Sequence, residues 1–163
     1  MDMKNMTDIN LDFYRSEYRE ELLKFELPEE QAQFTALPAD KLEEAWIAPD
    51  QYPIVIADGH NSVGFFILHS SDRVKDYTNN PKALLLTALS IDHSRQGRGY
   101  AKRAMGQLAG FIRESLPGFD EIVLAVNKRN VAAQKLYEKT GFRDTGERRM
   151  GKIGEQFIYS CPI

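Results

Sequence analysis

The stretch that most constrains the fold runs from Ala83 to Lys102. Ala83 to Ile91 is nearly all apolar, the composition of a strand buried on both faces. Soon after it, Gly97-Arg98-Gly99 opens a segment in which Ala101, Ala104/Met105, Leu108, Ile112 and Leu116 recur at three and four residues, a helix closed by Pro117-Gly118. A strand entering a helix through a glycine loop directs the unpaired N–H groups of the first helical turn outward, where dipole and amides favour an anion. Arg98, Lys102 and Arg103 add positive charge there. A tight turn alone would also explain both glycines, so the two readings stay open at this point. No Gly-Lys-Ser/Thr follows, as a P-loop requires, and Lys102 occupies the place of the third glycine in a dinucleotide fingerprint.

The chain around this unit reads as one domain of 163 residues, without internal repeats or a Pro/Gly/Ser-rich linker. Ile9 to Tyr14 alternates like a short strand, and Tyr14, Tyr18, Leu22 and Phe25 continue at helical spacing behind a cap at Ser16. Asp40 with Glu43 resembles a capping box for a second helix, with Leu42, Ala45 and Trp46 on one face. Pro53 to Ala57 and Ser62 to His69 flank Asp58-Gly59-His60-Asn61, the sequence of a hairpin. Ser70 to Pro81 reads as a loop, and Glu121 to Val126 as a buried strand. Asn130 opens a helix that Gly141 ends. Phe142 and Gln156 to Ser160 read as terminal strands joined by a basic turn, Arg148 to Gly154. The order is strand, two helices, three strands, helix, strand, helix, two strands: an α+β fold with a mixed sheet.

Two segments of this chain resemble the hallmarks of a known family. Gln96-Gly97-Arg98-Gly99-Tyr100-Ala101 is similar to the Gln/Arg-x-x-Gly-x-Gly/Ala signature of the GNAT superfamily of acyl-CoA-dependent N-acetyltransferases. Asn127 to Phe142, with Asn130, Ala133, Leu136-Tyr137 and Gly141-Phe142, is similar to its second motif, about 30 residues on. The likeness is specific from about Pro53 to Phe142. It implies a mostly antiparallel mixed sheet flanked by about four helices in a single domain, 1–163, with an acetyl-CoA-binding core over 83–142 and an acidic, helical acceptor side over 1–50.

By the same resemblance, the backbone of Leu89, Ser90 and Ile91 would pair with the pantetheine arm and thioester oxygen. Gln96, Gly97, Arg98, Gly99, Tyr100, Ala101 and Lys102 would hold the pyrophosphate, Asn130 would bond the pantetheine, and Ala133 would let the cofactor pass close. Tyr137 would be the catalytic acid toward the thioester sulfur. Independently of the resemblance, Asn130, Ala133 and Tyr137 share one helical face by their spacing. The implied reaction is direct attack of a primary amine on the thioester through a tetrahedral intermediate, with a backbone N–H receiving the oxyanion. A base is not written plainly. Where a peptide-N-terminal branch of the family has Glu, this chain has Ala125, and Asp92 and His93 are the nearest ionisable groups in sequence.

Charge is divided unevenly: residues 1–50 carry a net −8 and residues 92–163 a net +5. The family places its first helices beside the acceptor, so Glu26, Glu29 and Glu30, with Phe34, point to a polyamine or other cationic small amine. The alternatives are a protein lysine or N-terminal acetyltransferase, or a non-catalytic acyl-CoA-binding module. No two His have metal-ligand spacing and Cys161 stands alone, so no metal is expected and a reducing cytoplasm fits. Nucleic acid is not an expected partner, since the basic segments lack stacking aromatics. No apolar run spans a membrane, and Met1 to Asn10 lacks the pattern of a secretory leader. Family members dimerise through terminal strands, which admits a homodimer, although nothing in Gln156 to Ile163 specifies one.

Overall fold

The computed structural model describes residues 9–163; most of the leader reading on Met1 to Asn10 lies outside them. Seven strands form one sheet: β1 (Ile9–Phe13), β2 (Gln51–Asp58), β3 (Asn61–His69), β4 (Ala83–Ile91), β5 (Glu121–Asn127), β6 (Arg143–Gly151) and β7 (Gly154–Pro162), in the spatial order β1-β2-β3-β4-β5-β7-β6. Every neighbouring pair is antiparallel except β4 and β5. The helices are α1 (Arg19–Leu22), α2 (Glu29–Ala32), α3 (Pro38–Ile47), α4 (Tyr100–Ser115) and α5 (Val131–Lys139). The expected α+β architecture and mixed sheet are present.

Side-chain alternation along the strands divides the core between two faces. Leu84 and Leu86 of β4, with Ile122, Leu124 and Val126 of β5, pack against Leu108 and Ile112 of α4 and Tyr137 of α5. Val55, Phe65 and Ile67 point the other way, onto Leu22, Leu42 and Ala45 of the N-terminal helices. Farther along that second face, Leu85 and Val123 pack with Val74, and Tyr77 lies against them.

The site is created where the sheet comes apart. β4 pairs with β5 only at Ala83, Leu84 and Leu85, whereas β5 stays paired with β7 as far as Asn127. Beyond Leu85, β4 bulges: Ala88 adopts φ 58°, and the register against β3 shifts between Phe65↔Ser90 and Ile67↔Thr87. A left-handed alanine costs about 1–2 kcal/mol relative to an ordinary strand residue, and a bulge bends its strand. The bend takes the end of β4 away from β5 and leaves a V between them. Gly64 sits opposite Ile91, where a Cβ would lie 2.7 Å from the Cδ1 methyls of Ile56 and Ile91, so glycine lets β3 follow the bent strand without displacing them.

Several sequence expectations need correction. The helix expected from Tyr14 to Phe25 is a 3-10 turn at Ser16–Tyr18 followed by the single turn α1, and Ser16 makes no capping bond. α3 begins at Pro38, with Asp40 inside its first turn rather than at its cap; proline at the first helical position starts it earlier than the capping-box pattern suggests. Leu42 and Ala45 are buried, but Trp46 is half exposed, edge-on to Tyr14. The connection expected over Ser70 to Pro81 holds a 3-10 turn, Asp72–Asp76. β6 extends through most of the expected basic turn, which reduces to Lys152-Ile153.

Candidate active site

A cleft of about 810 Å³ fills the V. One pole is the loop between β4 and α4. Gly97 and Gly99 adopt φ of 81° and 78°, and a Cβ on either would meet nothing within 4 Å, so the left-handed backbone is what requires glycine. Gly99 occupies the N-cap of α4, which therefore opens directly onto the cleft. Tyr100 is buried beneath the loop and donates its hydroxyl to Asp58 Oδ2, fixing the helix start against the end of β2. Arg103 lies over the Tyr100 ring and donates to the Arg98 carbonyl at 3.0 Å, bracing the loop from outside.

The edge of β4 that faces β5 is open from Leu86 onward. Along it the Leu89 carbonyl accepts from Thr35 Oγ1 at 3.0 Å and the Ile91 carbonyl from Gln96 Nε2 at 2.9 Å, both side chains rather than strand partners. A strand residue presents its N–H and C=O to the same side, so the N–H groups of Leu89 and Ile91 face this gap too. Gln96 and Gln31 also exchange amide hydrogen bonds at 2.7 and 3.0 Å, and Asp92 Oδ1 accepts from the Glu26 N–H at 2.9 Å. The segment between α1 and α3 is thereby pinned to the end of β4 and walls the cleft.

The opposite wall is α5. Asn130 caps it, its side chain accepting from the Ala133 N–H at 3.3 Å, which leaves the amide nitrogen as a donor. Asn130, Ala133 and Tyr137 all line the cleft. Tyr137 packs edge-on against Phe142 at 5.3 Å between ring centres, and burial raises its phenol above the ordinary tyrosine range. It is therefore protonated at neutral pH, with a proton to donate.

Residues 11–142 match the model of the acetyltransferase (GNAT) family. The chain belongs to the GNAT family. It is 47% identical over 152 residues to the uncharacterized N-acetyltransferase YbbJ of Bacillus subtilis, covering 93% of this chain and 95% of the relative. Among solved structures, the aminoglycoside acetyltransferase AAC(6')-Ib with acetyl-CoA superposes with a TM-score of 0.71 at 14% identity, over 94% of this chain and 93% of that one. A spermidine N-acetyltransferase chimera from Vibrio cholerae and hSSAT superposes with a TM-score of 0.68 at 19% identity, over 94% and 95%. Membership in this family makes the protein an acyltransferase, and its GNAT fold is the one these structures share.

Of the residues singled out in the sequence, the GNAT cleft gathers Leu89, Ser90, Ile91, Gln96, Gly97, Gly99, Tyr100, Ala101, Lys102, Asn130, Ala133, Tyr137 and Phe34. Arg98, Glu26, Glu29 and Glu30 do not line it. Glu26 contributes only backbone, to Asp92 and His93; Glu29 and Glu30 are exposed on the single-turn α2. Asp92 holds the Glu26 N–H and the Ser94 hydroxyl, and neither it nor His93 reaches the cleft. Sequence reasoning missed Thr35, Thr87, Arg73, Tyr77 and Arg149, which line it from four separated segments. Arg149 lies within the basic stretch noted before β7; the others carry no local signal. Among the described residues, no Asp, Glu or His lines the cleft, and no three His, Cys, Asp or Glu side chains converge as metal ligands. No helix among those residues is long and apolar enough to cross a membrane.

Proposed function

We propose that this chain transfers the acetyl group of acetyl-CoA to a primary amine held on the far face of the sheet. The observation that carries the reading is the convergence of three features on one cleft: a helix N-terminus, an open strand edge and a protonated buried tyrosine. The cleft suits the donor. The N-terminus of α4, with Gly97, Gly99, Arg95 and Lys102 around it, offers amides and charge to a pyrophosphate. The edge of β4 that faces the gap offers the N–H groups of Leu89 and Ile91 to an amide-bearing arm, their carbonyls being engaged by Thr35 and Gln96, and Asn130 faces it across the gap. This supports 83–142 as the donor-binding core, with Gln31, Phe34 and Thr35 bringing the first fifty residues to the acceptor side.

The reaction is a nucleophilic acyl substitution. The amine nitrogen forms a bond to the acetyl carbon as the carbon–sulfur bond breaks, and the sulfur leaves with the bonding pair. An N–H of the Leu89–Ile91 edge receives the charge that builds on the carbonyl oxygen, and Tyr137 donates its proton to the departing sulfur. The proton lost from nitrogen restores the phenol through solvent. With no carboxylate or imidazole among the described residues that line the cleft, the amine enters as its neutral form or yields its proton to water. The rate therefore follows the acceptor's own ionisation.

The test is release of free CoA across polyamines, amino acids, aminoglycosides and lysine or N-terminal peptides, with Tyr137→Phe in parallel. Turnover by the parent, with kcat falling about 100-fold in the variant and the KM for acetyl-CoA nearly unchanged, is the expected result. An equal kcat in Tyr137→Phe would remove the phenol from the mechanism. Binding of acetyl-CoA without turnover of any amine would leave the non-catalytic module in its place. The polyamine arm is kept in the panel, but Glu26, Glu29 and Glu30, the residues that suggested it, stand outside the cleft.

A further inference from the structure

The charge inside the cleft is one-sided. Its ionisable lining residues other than tyrosine are Arg73, Arg95, Lys102, Arg149 and Lys152. Arg95 and Lys102 flank the glycine loop, where the donor's phosphates account for them. Arg73 and Arg149 come from the β3–β4 connection and from β6, and they occupy the other face of the sheet. Arg149 stacks on the Tyr77 ring at 4.5 Å, and Tyr77 packs against Leu85 and Val123, whose side chains point away from α4 and α5. Arg73 lies near His69, and its charge is the second cause, after burial, that lowers that imidazole to about 4.

Neither guanidinium forms an ion pair among the described residues. Arg149 Nη1 is buried and has no hydrogen-bond partner. Of the acids around Arg149, Asp144 forms a two-pronged pair with Arg148, Glu121 accepts from Ser160 and Asn80, and Asp76 and Glu147, which line a neighbouring pocket with Arg149, form no ion pair with it. A buried guanidinium nitrogen without an acceptor is costly, and its planar fork matches a carboxylate. A thioester and an alkylamine supply no anion to this end of the cleft. An acceptor with a carboxylate does.

We propose that the acceptor is an amine bearing a carboxylate close to the reacting nitrogen, an α-amino acid or a derivative of one, and that Arg149, assisted by Arg73, receives that carboxylate. This inference rests on the acetyltransferase reading and narrows it. The two arginines also raise the local potential, which disfavours an ammonium and releases its proton more easily, an advantage in a cleft without a base. A polyamine, cationic along its length, would meet repulsion at the same place.

The experiment compares matched pairs that differ only in the α-carboxylate: phenylalanine against phenethylamine, lysine against cadaverine, ornithine against putrescine, with spermidine alongside. The expected result is kcat/KM at least tenfold higher for the carboxylate-bearing member of the preferred pair. Arg149→Gln should erase that preference by raising the acceptor KM while the acetyl-CoA KM holds, Arg149→Lys should restore part of it, and Arg73→Gln should show the smaller loss. Equal or better use of the decarboxylated amines or spermidine, or an Arg149→Gln effect equal on both members, overturns the anion site and leaves the transferase intact. A readout without turnover separates the two readings. Each amino acid should raise the melting temperature of the wild type more than its decarboxylated partner does, and Arg149→Gln should abolish the difference. Loss of that binding signal overturns the inference whatever the transfer assay shows, and binding without CoA release overturns the transferase reading alone. Circular dichroism of Arg149→Lys and Arg73→Gln guards against reading misfolding as lost recognition.

Discussion

The two ends of the cleft are built in opposite ways. On the proposed reading, the donor end rests chiefly on one continuous segment, from the bulge in β4 through Gly97 and Gly99 into α4, whose geometry is set by neighbours in sequence. The end proposed for the acceptor is assembled from Phe34 and Thr35, Arg73 and Tyr77, Ala125, and Arg149, residues that meet only once the sheet is complete. Recognition of a constant donor can be written into a local motif. Recognition of a variable acceptor rests on loops that the sheet brings together, each free to change without disturbing the other end.

If the ends are independent, Gly99→Ala should separate them most clearly. Its Cβ would meet no atom within 4 Å, so the cost is that of φ 78° alone, about 1–2 kcal/mol. Where the free loop relaxes to avoid that conformation, binding must restore it, and the KM for acetyl-CoA should rise roughly 5- to 30-fold while the acceptor KM stays within twofold. Steady-state kinetics with each substrate varied in turn will show this. A parallel rise in both constants would mean that the two ends behave as one.

Gly64→Ala attacks the bend that parts the strands. The added methyl would lie 2.7 Å from Ile56 and Ile91 and 3.1 Å from the Ser90 carbonyl, so the core must shift. Chemical denaturation should show a loss of about 1–3 kcal/mol. A loss under 0.5 kcal/mol, on the order of a surface change, would show that β3 need not approach β4 so closely.

This contrast also explains what could be read in advance. The strand-to-helix loop and the Asn130-Ala133-Tyr137 face were legible because their meaning lies in local spacing, and the structure brings them together on one cleft. The sequence pattern hides most of β6, because RDTGERRMG is exposed along nearly its whole length and shows no apolar alternation; its place at the sheet edge follows from pairing with β7. The acidic stretch misled for a related reason. Charge on a helical segment marks solvent at least as often as a ligand, and only the pinning of this segment through Gln31, Thr35 and Glu26 shows which of its residues face inward. The bulge at Ala88 left no trace at all, since nothing marks an alanine as left-handed before its neighbours are placed.

Acid should act on the acceptor wall before the donor loop. His69 is buried, bonded through Nε2 to Thr87 Oγ1 at 2.7 Å, and its imidazole is lowered to about 4 by burial, then by Arg73. An unfolded histidine titrates near ~6.5. The folded state therefore binds fewer protons than the unfolded state below that value, so this contribution to stability is complete above it and is lost as pH falls toward 4. The melting temperature of the wild type should drop over this window by several degrees more than that of His69→Gln, which keeps a partner for Thr87 but does not titrate. Parallel curves would mean that the imidazole accepts a proton in place.

Asp92 supplies the smallest effect and the sharpest check on how the two ends are joined. It follows β4, within reach of the reacting centre along the chain, and in sequence it is a candidate for the missing base. In the structure its carboxylate is a strut: Oδ1 accepts the Glu26 N–H and Oδ2 the Ser94 hydroxyl, and the side chain does not line the cleft. Asn in its place keeps one acceptor for the Glu26 N–H, so the acceptor segment should stay pinned. Asp92→Asn should hold kcat within about threefold of wild type, since the amide oxygen keeps the Glu26 N–H and the amide nitrogen can donate to the Ser94 hydroxyl, and the pH–rate profile should keep its shape. A base would behave otherwise, with kcat falling by two orders of magnitude or more and the limb that reports its ionisation vanishing. That outcome would move Asp92 into the reaction and show that the pinned segment can swing it toward the amine.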